Sequence, residues 1–289
     1  MTFIVLLLAL LAERFLLDQR DWRKTDWFQR YYLALAHHPQ GGWITSRFWG
    51  PAAVLTPALA AVALFQWFVG DSLGGIPAFL FGLAVLIYCL GPDDLDNQAT
   101  DFLYAQERGE QEKARLAAAK LCDGEPADSP AGLVRQVREA ILYQSNRRIF
   151  GVIFWFLILG PLGAALYRMS RYLLQTQEET GSEEFFQGRQ RLVFILDWVP
   201  TRALVLAFAL AGNFENTLEA WRRWERQRPA EFRGEEAQGL LIQAGNGALM
   251  IQDEDDEEAN SAQVEAALSL VWRSLTVWLV ILGLLTLIF

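Results

Sequence analysis

An aspartate and an arginine five residues apart lie inside an apolar stretch of this sequence. Asp197 and Arg202 fall within the run 192–212, which is long enough to cross a bilayer, and Pro200 lies between them. An ionisable side chain in hydrocarbon is costly and normally faces a partner or a protein interior. These two residues are therefore the first candidates for chemistry or ligand binding.

Two interpretations of Asp197 and Arg202 are open from the sequence. In one, they form the deep polar floor of a pocket that opens on the cytoplasm. In the other, each pairs with another helix and holds the bundle together. Side chains five apart do not stack on an ideal helix, although a proline such as Pro200 loosens the backbone between them. Glu13, in the first apolar block, is either an interfacial charge or the partner of Arg202.

Composition excludes several classes of protein. The chain has 289 residues, of which 53% are hydrophobic, and a formal net charge of −9. An acidic chain without a basic tract argues against nucleic acid as a partner. The two cysteines, Cys89 and Cys122, imply no disulfide framework. Because the two histidines, His37 and His38, are adjacent and no Cys-x-x-Cys is present, we predict no metal site.

The apolar residues come in blocks close to the ~20 residues that a membrane helix needs. These blocks cover residues 3–17, 52–69, 76–90, 149–166, 192–212 and 268–289. We therefore predict an all-α polytopic membrane helical bundle with five to six membrane segments, forming one domain over 1–289. Helical cytoplasmic regions are expected at 91–148 and 213–267. The first block is short, so its full crossing is open, and it lacks the basic start of a cleaved signal peptide.

The polar regions carry their own helix signals. Gly109 separates two predicted helices, 94–108 and 110–121. Ser129, followed by proline, predicts the start of a helix that continues toward the fourth apolar block. The segment 167–191 is predicted to be a polar link, and Ser261 is predicted to cap the last helix.

Basic residues predict the orientation, because they concentrate on the cytoplasmic side of membrane proteins. The regions 18–50, 91–148 and 213–267 hold 18 lysines and arginines, whereas the link 167–191 holds 4. We therefore predict a multi-pass protein of a bacterial inner membrane with its large loops in the cytoplasm and its C-terminus in the periplasm.

Further polar groups are candidate sites. Glu139 and Arg148 lie on the helix that enters the fourth block, and Arg148 with its basic neighbours suits either a phosphate or simple anchoring at the cytoplasmic surface. The acidic run 253–258 suits a solvated loop, because it lacks the alternation and glycine of a calcium loop. The Gly-rich piece 239–247 is not followed by the Gly-Lys-Ser/Thr of a phosphate loop. No convincing catalytic triad can be assembled.

One motif carries a family resemblance. The segment 195–202 (ILDWVPTR), together with Phe154-Trp155, Gly160-Pro161 and Tyr167-Arg168, resembles the AmpE family of inner-membrane proteins over nearly the whole chain. The resemblance implies a signalling modulator of β-lactamase induction without a settled biochemical activity. It also implies a functional link to AmpD, an amidase that recycles muropeptides.

The AmpE family is in turn similar to the CbiB/CobD cobinamide synthases, which are membrane enzymes that use ATP and Mg²⁺. The tract from Gly109 to Asp123 resembles their helix pair, and Glu139 falls where they have a glutamate. The later carboxylates of their Glu-Ser-x-x-Glu-Asn-x-x-Asp stretch are absent here, and Asp197 stands where they have asparagine. Since Mg²⁺ needs hard oxygen ligands, these departures argue against the ligase chemistry.

The main hypothesis is thus a regulator linked to peptidoglycan recycling that binds a muropeptide or nucleotide in a cytoplasm-facing cleft. The cleft is predicted to be built by Glu13, Glu139, Arg148, Asp197 and Arg202. One alternative is an ATP- and Mg²⁺-dependent amide-forming ligase, and another is a carrier of cell-wall intermediates. The expected partners also include the lipid bilayer, and the Gly-rich fourth block is compatible with a homodimer.

Overall fold

The computed structural model describes residues 2–16, 26–36, 42–70, 75–122, 124–175, 182–227, 236–251 and 259–288. Within these ranges every regular element is a helix and no strand occurs. The prediction of an all-α protein is confirmed. Several predicted features lie outside the described residues: His37 and His38, the turn at 71–74, Asp123, the middle of the predicted link and the acidic run 253–258.

The chain divides into two compact units, Met1–Leu90 with Gly151–Trp198, and Gly91–Phe150 with Val199–Phe289. The helices in chain order are α1 (Thr2–Leu16), α2 (Asp26–Ala36), α3 (Gly42–Thr45), α4 (Gly50–Gly70), α5 (Ile76–Cys89), α6 (Pro92–Glu107), α7 (Gln111–Leu121), α8 (Pro130–Ser145), α9 (Gly151–Leu159), α10 (Pro161–Gln175), α11 (Glu183–Ala211), α12 (Phe214–Gln227), α13 (Glu236–Leu249) and α14 (Ser261–Ile288). Helix α11 contributes its first half to the first unit and its second half to the second.

Three described helices are long and apolar enough to cross a membrane: Gly50–Val69, Glu183–Ala211 and Ser261–Ile288. Two shorter apolar helices, Phe3–Glu13 and Ile76–Cys89, accompany them. The prediction of a helical membrane bundle is therefore confirmed. A helix as short as these two crosses a bilayer only if its ends reach the headgroup layer.

The fourth apolar block is not one continuous helix. It is divided at Gly160, whose φ of 65° lies in the left-handed region that favours glycine, and Pro161 starts the next helix. Gln66 of α4 bridges this break, because its amide donates to the Leu159 carbonyl at 3.4 Å and accepts from the Leu162 N–H at 3.1 Å. The side chain of one apolar helix thus satisfies backbone groups that the break exposes.

Helix α11 runs without interruption through Pro200. A proline has no N–H, so it leaves the carbonyl four residues earlier, that of Leu196, without its usual helical donor. The indole N–H of Trp155 in α9 donates to this carbonyl at 2.9 Å. Trp155 therefore replaces the missing helical hydrogen bond.

The predicted link 167–191 is helical over most of its described length, because α10 continues to Gln175 and α11 begins at Glu183. The prediction of a polar link was wrong, because the side chains of Arg171 and Arg189 are buried. Arg189 donates to the Leu173 carbonyl at 2.9 Å, in the last turn of α10. A cation at that position satisfies a helix-terminal carbonyl and suits the helix dipole.

In the second unit, the local signals predicted two boundaries correctly. Gly109, at a φ of 67°, separates α6 from α7, and the Ser129 hydroxyl accepts from the Gly132 N–H at the start of α8. The predicted cap Ser261 was wrong by one residue. Ser261 is the first residue of α14, and the Asn260 side chain accepts from the Ala262 N–H at 3.1 Å.

Helix α8 continues into a π-helical turn over Asn146–Phe150. A π turn shifts the hydrogen-bonding register, and the Arg148 carbonyl accepts from the Gly91 N–H at 3.2 Å, just before α6. The Gly-rich piece 239–247 is helical, within α13. Its glycines allow close packing, because a Cβ at Gly247 would lie 2.7 Å from the Asn216 carbonyl oxygen of α12.

The Trp155–Leu196 hydrogen bond can be tested with a double-mutant cycle. Trp155→Phe removes the indole donor and leaves the Leu196 carbonyl unsatisfied, so we expect the free energy of unfolding to fall by about 1–3 kcal/mol. In a Pro200→Ala background, the new N–H of residue 200 can donate to that carbonyl, and the cost of Trp155→Phe should shrink. Unfolding in mixed micelles measures both costs. Equal costs in the two backgrounds would contradict the replacement role of Trp155.

Candidate functional site

Asp197 is a buried carboxylate, only 3% exposed, in the first half of α11. Its Oδ1 accepts from the Tyr167 hydroxyl at 2.7 Å, and its Oδ2 accepts from Arg171 Nη2 at 2.5 Å. Both donors belong to α10. The sequence left open whether Asp197 pairs with another helix, and the structure pairs it with α10.

The sequence of α10 places both donors on one face. Tyr167 and Arg171 are four residues apart, and side chains at this spacing are neighbours on a helix. The Arg171 guanidinium also lies 5.9 Å from the centre of the Tyr167 ring. Gly151 of α9 makes room for the phenol, because a Cβ there would lie 2.3 Å from Tyr167 Cζ.

This arrangement determines what Asp197 can do. A carboxylate that accepts a charge-assisted hydrogen bond from a guanidinium is held by charge and by geometry together. Asp197 is therefore the counterion of Arg171, and Tyr167 orients it. Removing one member of such a buried pair leaves the other charge uncompensated.

Arg202 has a different environment, in the second half of α11. Its Nη2 donates to Glu225 Oε1 of α12 at 3.2 Å, and the two side chains are 20% and 39% exposed. The Trp221 indole of α12 lies within 3.4 Å of the same oxygen. This ion pair is accessible to solvent and is therefore easier to break than the pair of Asp197 and Arg171.

The other three predicted site residues are Glu13, Glu139 and Arg148. Glu13 is buried in α1 of the first unit. Glu139 is half-buried in α8, 3.9 Å from the neighbouring Arg138. Arg148, in the π-helical turn, donates to Gln98 Oε1 of α6 at 3.1 Å. Glu13 and Asp197 belong to the first unit, and Glu139, Arg148 and Arg202 to the second. The cleft formed by all five, and the pairing of Glu13 with Arg202, stay predictions.

The three arginines around the start of the fourth block were a candidate phosphate site. Arg138 is fully buried and donates to Gln263 of α14 at 2.7 Å. Arg147 donates to Gln238 of α13 at 3.3 Å and lies over the Tyr143 ring. Both therefore contact protein groups that connect helices of the second unit.

Sequence reasoning missed Tyr167 and Arg171. Arg171 was counted as a basic residue of a polar link, although its four-residue spacing from Tyr167 matches one face of a helix. It also missed the contact of Thr201, inside the 195–202 motif, with Asn146. The Asn146 amide donates to the Thr201 hydroxyl at 3.3 Å, and both side chains are buried.

A polar cavity of about 550 Å³ lies between α12 and α13. Its polar lining consists of four amide side chains and one ion pair: Asn216, Gln227, Gln243, Asn246, and Arg223 with Glu219. The Asn246 Oδ1 atom is buried, with no hydrogen-bond partner among the described residues. An unsatisfied buried acceptor costs about 1–3 kcal/mol, so a ligand or water that donates to it would be favoured.

The resemblance to the synthases implies ATP and Mg²⁺, and the donor groups of the described residues bear on this metal. Among them, no three Asp, Glu, His or Cys side chains converge in a way that could hold a metal ion. Mg²⁺ is usually held by carboxylates together with the phosphates of its nucleotide. The carboxylate in the motif, Asp197, is occupied by Arg171 and Tyr167.

Asp197 and Arg202 should differ sharply in their effect on stability. Asp197→Ala leaves the Arg171 charge buried and uncompensated, so we expect a loss of about 3–5 kcal/mol. Arg202→Ala removes a solvent-accessible pair and should cost about 0–1 kcal/mol. Unfolding of the purified variants in one detergent measures both. If the two substitutions cost the same, Asp197 is not the counterion that the geometry indicates.

Comparisons with known proteins agree with this architecture. A family profile described as "Regulatory signalling modulator protein AmpE" matches residues 1–288. The chain is 26% identical over 296 residues to "Cobalamin biosynthesis protein CobD" of Stutzerimonas stutzeri (strain A1501), covering 97% of this chain and 96% of that protein. It is 27% identical to the protein of the same name from Chromobacterium violaceum, covering 84% and 78%.

A third relative carries the family name. "Protein AmpE" of Shigella flexneri is 25% identical over 232 residues, covering 76% of this chain and 78% of that protein. No solved structure matches the chain. Because one profile covers nearly the whole length, from α1 to the end of α14, this chain belongs to the AmpE family of regulatory signalling modulators.

Proposed function

We propose that this chain is a non-catalytic regulator in a bacterial inner membrane, which modulates β-lactamase induction in response to peptidoglycan recycling. The observation that carries the proposal is the state of Asp197. Its two carboxylate oxygens accept from Arg171 and Tyr167, so the acidic group of the motif is committed to a structural ion pair. An acid that holds two helices together has a structural role, and the family profile described as a signalling modulator supports a regulator.

The ligand of this regulator is a polar, water-soluble molecule, either a muropeptide or a nucleotide. Support comes from the cavity between α12 and α13, because amide side chains both donate and accept hydrogen bonds and therefore suit peptide and sugar groups. The cavity is within the range of about 300–1,000 Å³ of small-ligand sites.

Of the predicted site residues, Arg202 contacts a helix that forms one wall of this cavity. Its partner Glu225 lies on α12, which supplies Asn216 and Gln227 to the lining. A ligand that shifts α12 would strengthen or weaken the Arg202–Glu225 pair and so report its presence to α11. Glu13, Glu139 and Arg148 remain proposed ligand contacts on the sequence argument alone.

The proposed setting follows the distribution of basic residues. The large helical regions 91–148 and 213–267 would face the cytoplasm and the C-terminus the periplasm. The ligand cavity would then be open to soluble products of wall recycling, which gives the functional link to AmpD a physical basis. A homodimer is compatible with this arrangement.

A second candidate function is an ATP- and Mg²⁺-dependent amide-forming ligase. The observation in its favour is the similarity to two proteins named for cobalamin biosynthesis, one of them over 97% of this chain. The pairing of Asp197, the carboxylate of the motif, with Arg171 and Tyr167 argues against it. Purified protein in detergent should neither bind nor hydrolyse ATP with Mg²⁺. Hydrolysis that depends on this chain would favour the ligase instead.

The regulator is tested by replacing the chromosomal copy in its host and measuring β-lactamase before and after a β-lactam inducer. Asn246→Leu should change the induction ratio, because it removes an amide from the cavity. Arg202→Gln and Glu225→Gln should each change the ratio in the same direction, because each breaks the same ion pair.

The matched control is Glu215→Gln, an exposed residue of α12 outside the cavity lining, which should leave induction unchanged. Immunoblots of membrane fractions correct for the amount of each variant. If deletion of the whole chain leaves induction unchanged, the regulatory role is wrong. If deletion matters but the cavity and ion-pair variants behave as wild type, only the proposed ligand site is wrong.

A further inference from the structure

A second cavity, of about 540 Å³, lies in the first unit among α2, α4, α5 and α10. Its wall is almost wholly carbon, formed by aromatic rings and small or branched apolar side chains, with Val62 and Phe81 among them. Two of its four helices, α4 and α5, are apolar helices of the membrane bundle. This cavity is separate from the polar one between α12 and α13 and has the opposite chemistry.

The polar groups of the apolar cavity cluster at the C-terminal end of α5. The Trp27 indole donates to the Tyr88 hydroxyl at 2.8 Å, and Arg168 Nε donates to the Tyr172 hydroxyl at 2.7 Å. Both hydrogen-bonded pairs line the same cavity, so they are neighbours. Phe81 lies two helical turns earlier on α5, where the lining is apolar. The cavity is therefore apolar throughout, with hydrogen-bonded polar groups gathered beside one end.

The side chains at the polar end are typical of the headgroup level of a bilayer. Trp and Tyr are enriched there because their rings are apolar and their N–H or O–H groups are polar. Trp27 and Tyr88 expose this combination on α2 and α5. The apolar part of the cavity would then lie at the level of lipid chains.

Arg168 supplies a charge at this end. The guanidinium packs over the Tyr172 ring at 4.6 Å, and Nε is used by the Tyr172 hydroxyl. No carboxylate among the described residues pairs with Arg168, and its terminal nitrogens have no hydrogen-bond partner in that part of the chain. A guanidinium beside an apolar cavity is stabilised by an anion, and phosphate fits its planar fork.

We infer that the first unit binds one anionic phosphate-bearing membrane lipid, with an acyl or prenyl chain in the apolar cavity and a phosphate that no cation of the lipid compensates on Arg168. Both halves of the ligand are matched, since the carbon-lined wall suits a chain and the guanidinium suits a monoanionic head. A soluble apolar molecule would leave Arg168 without an anion, and a free phosphate would leave the cavity unused. This site is independent of the proposed regulatory role.

The test uses the full chain purified in detergent, with native mass spectrometry to count bound lipid. Phosphatidylglycerol, with one net negative charge, is titrated against phosphatidylcholine of identical chains. We expect one phosphatidylglycerol per chain, bound about tenfold more tightly than phosphatidylcholine. Arg168→Gln should remove this preference. Arg30→Gln, an exposed cation on α2 that does not line the cavity, should keep it.

Binding of the lipid's acyl chain in the cavity is tested with a second pair of variants. Ala61→Trp fills the cavity from α4 and should abolish binding of the one retained lipid, whereas Ala60→Trp, at the next position and outside the lining, should leave it. Thermal unfolding confirms that each variant is folded. Glycerol phosphate, which lacks chains, should not displace the lipid at matched concentration.

Four results would overturn the inference. Equal affinity for the two lipids would show that the charge of the headgroup is not recognised. Equal losses in Arg168→Gln and Arg30→Gln would show only a general attraction to anionic lipid. Retained binding in folded Ala61→Trp would show that the chain does not enter the cavity. Displacement by glycerol phosphate would assign Arg168 to a free phosphate instead. None of these outcomes bears on β-lactamase induction.

Discussion

A polar group inside an apolar helix bundle is stable only where another group of the protein satisfies it, because hydrocarbon provides no water. Three polar groups of the first unit illustrate this constraint. Trp155 satisfies the carbonyl that the proline of α11 leaves without a donor, and Gln66 satisfies the backbone at the break between α9 and α10. Arg171 compensates the charge of Asp197. Each of these interactions also joins two helices, so the contact that satisfies the polar group also holds the bundle together.

The same constraint separates the two charged residues of the 195–202 motif. Asp197 is buried and held by groups of α10, so its contribution is to the integrity of the first unit. Arg202 is partly exposed and pairs with Glu225 across a contact that a ligand or solvent can alter. In the proposed regulator, the first residue maintains the scaffold and the second responds to the state of α12. A structural role for Asp197 and a responsive role for Arg202 are compatible with a family described as signalling modulators and with relatives named for a biosynthetic function.

Much of the helix pattern could be predicted from sequence, because its signals are local. Gly109 allows a left-handed turn and Ser129 caps a helix start, and each affects only the backbone within one helical turn of its own position. Arg171 was misassigned to a polar link because hydropathy averages over neighbours and does not report which face of a helix is covered. The cap at Ser261 was misplaced by one residue because Asn260 before it is also a good cap. The cavity between α12 and α13 could not be predicted, since it depends on how closely two helices approach.

The sequence by itself determined that the chain is a helical membrane protein and that Asp197 and Arg202 need partners, because hydropathy and the cost of burying charge depend only on residue type. The tertiary structure decided which partners they have. Asp197 is paired with a residue 26 positions earlier and Arg202 with one 23 positions later. Several arginines were available for Asp197, and only the packing of α10 against α11 selected Arg171. Partner choice depends on the relative placement of helices, which no local pattern encodes.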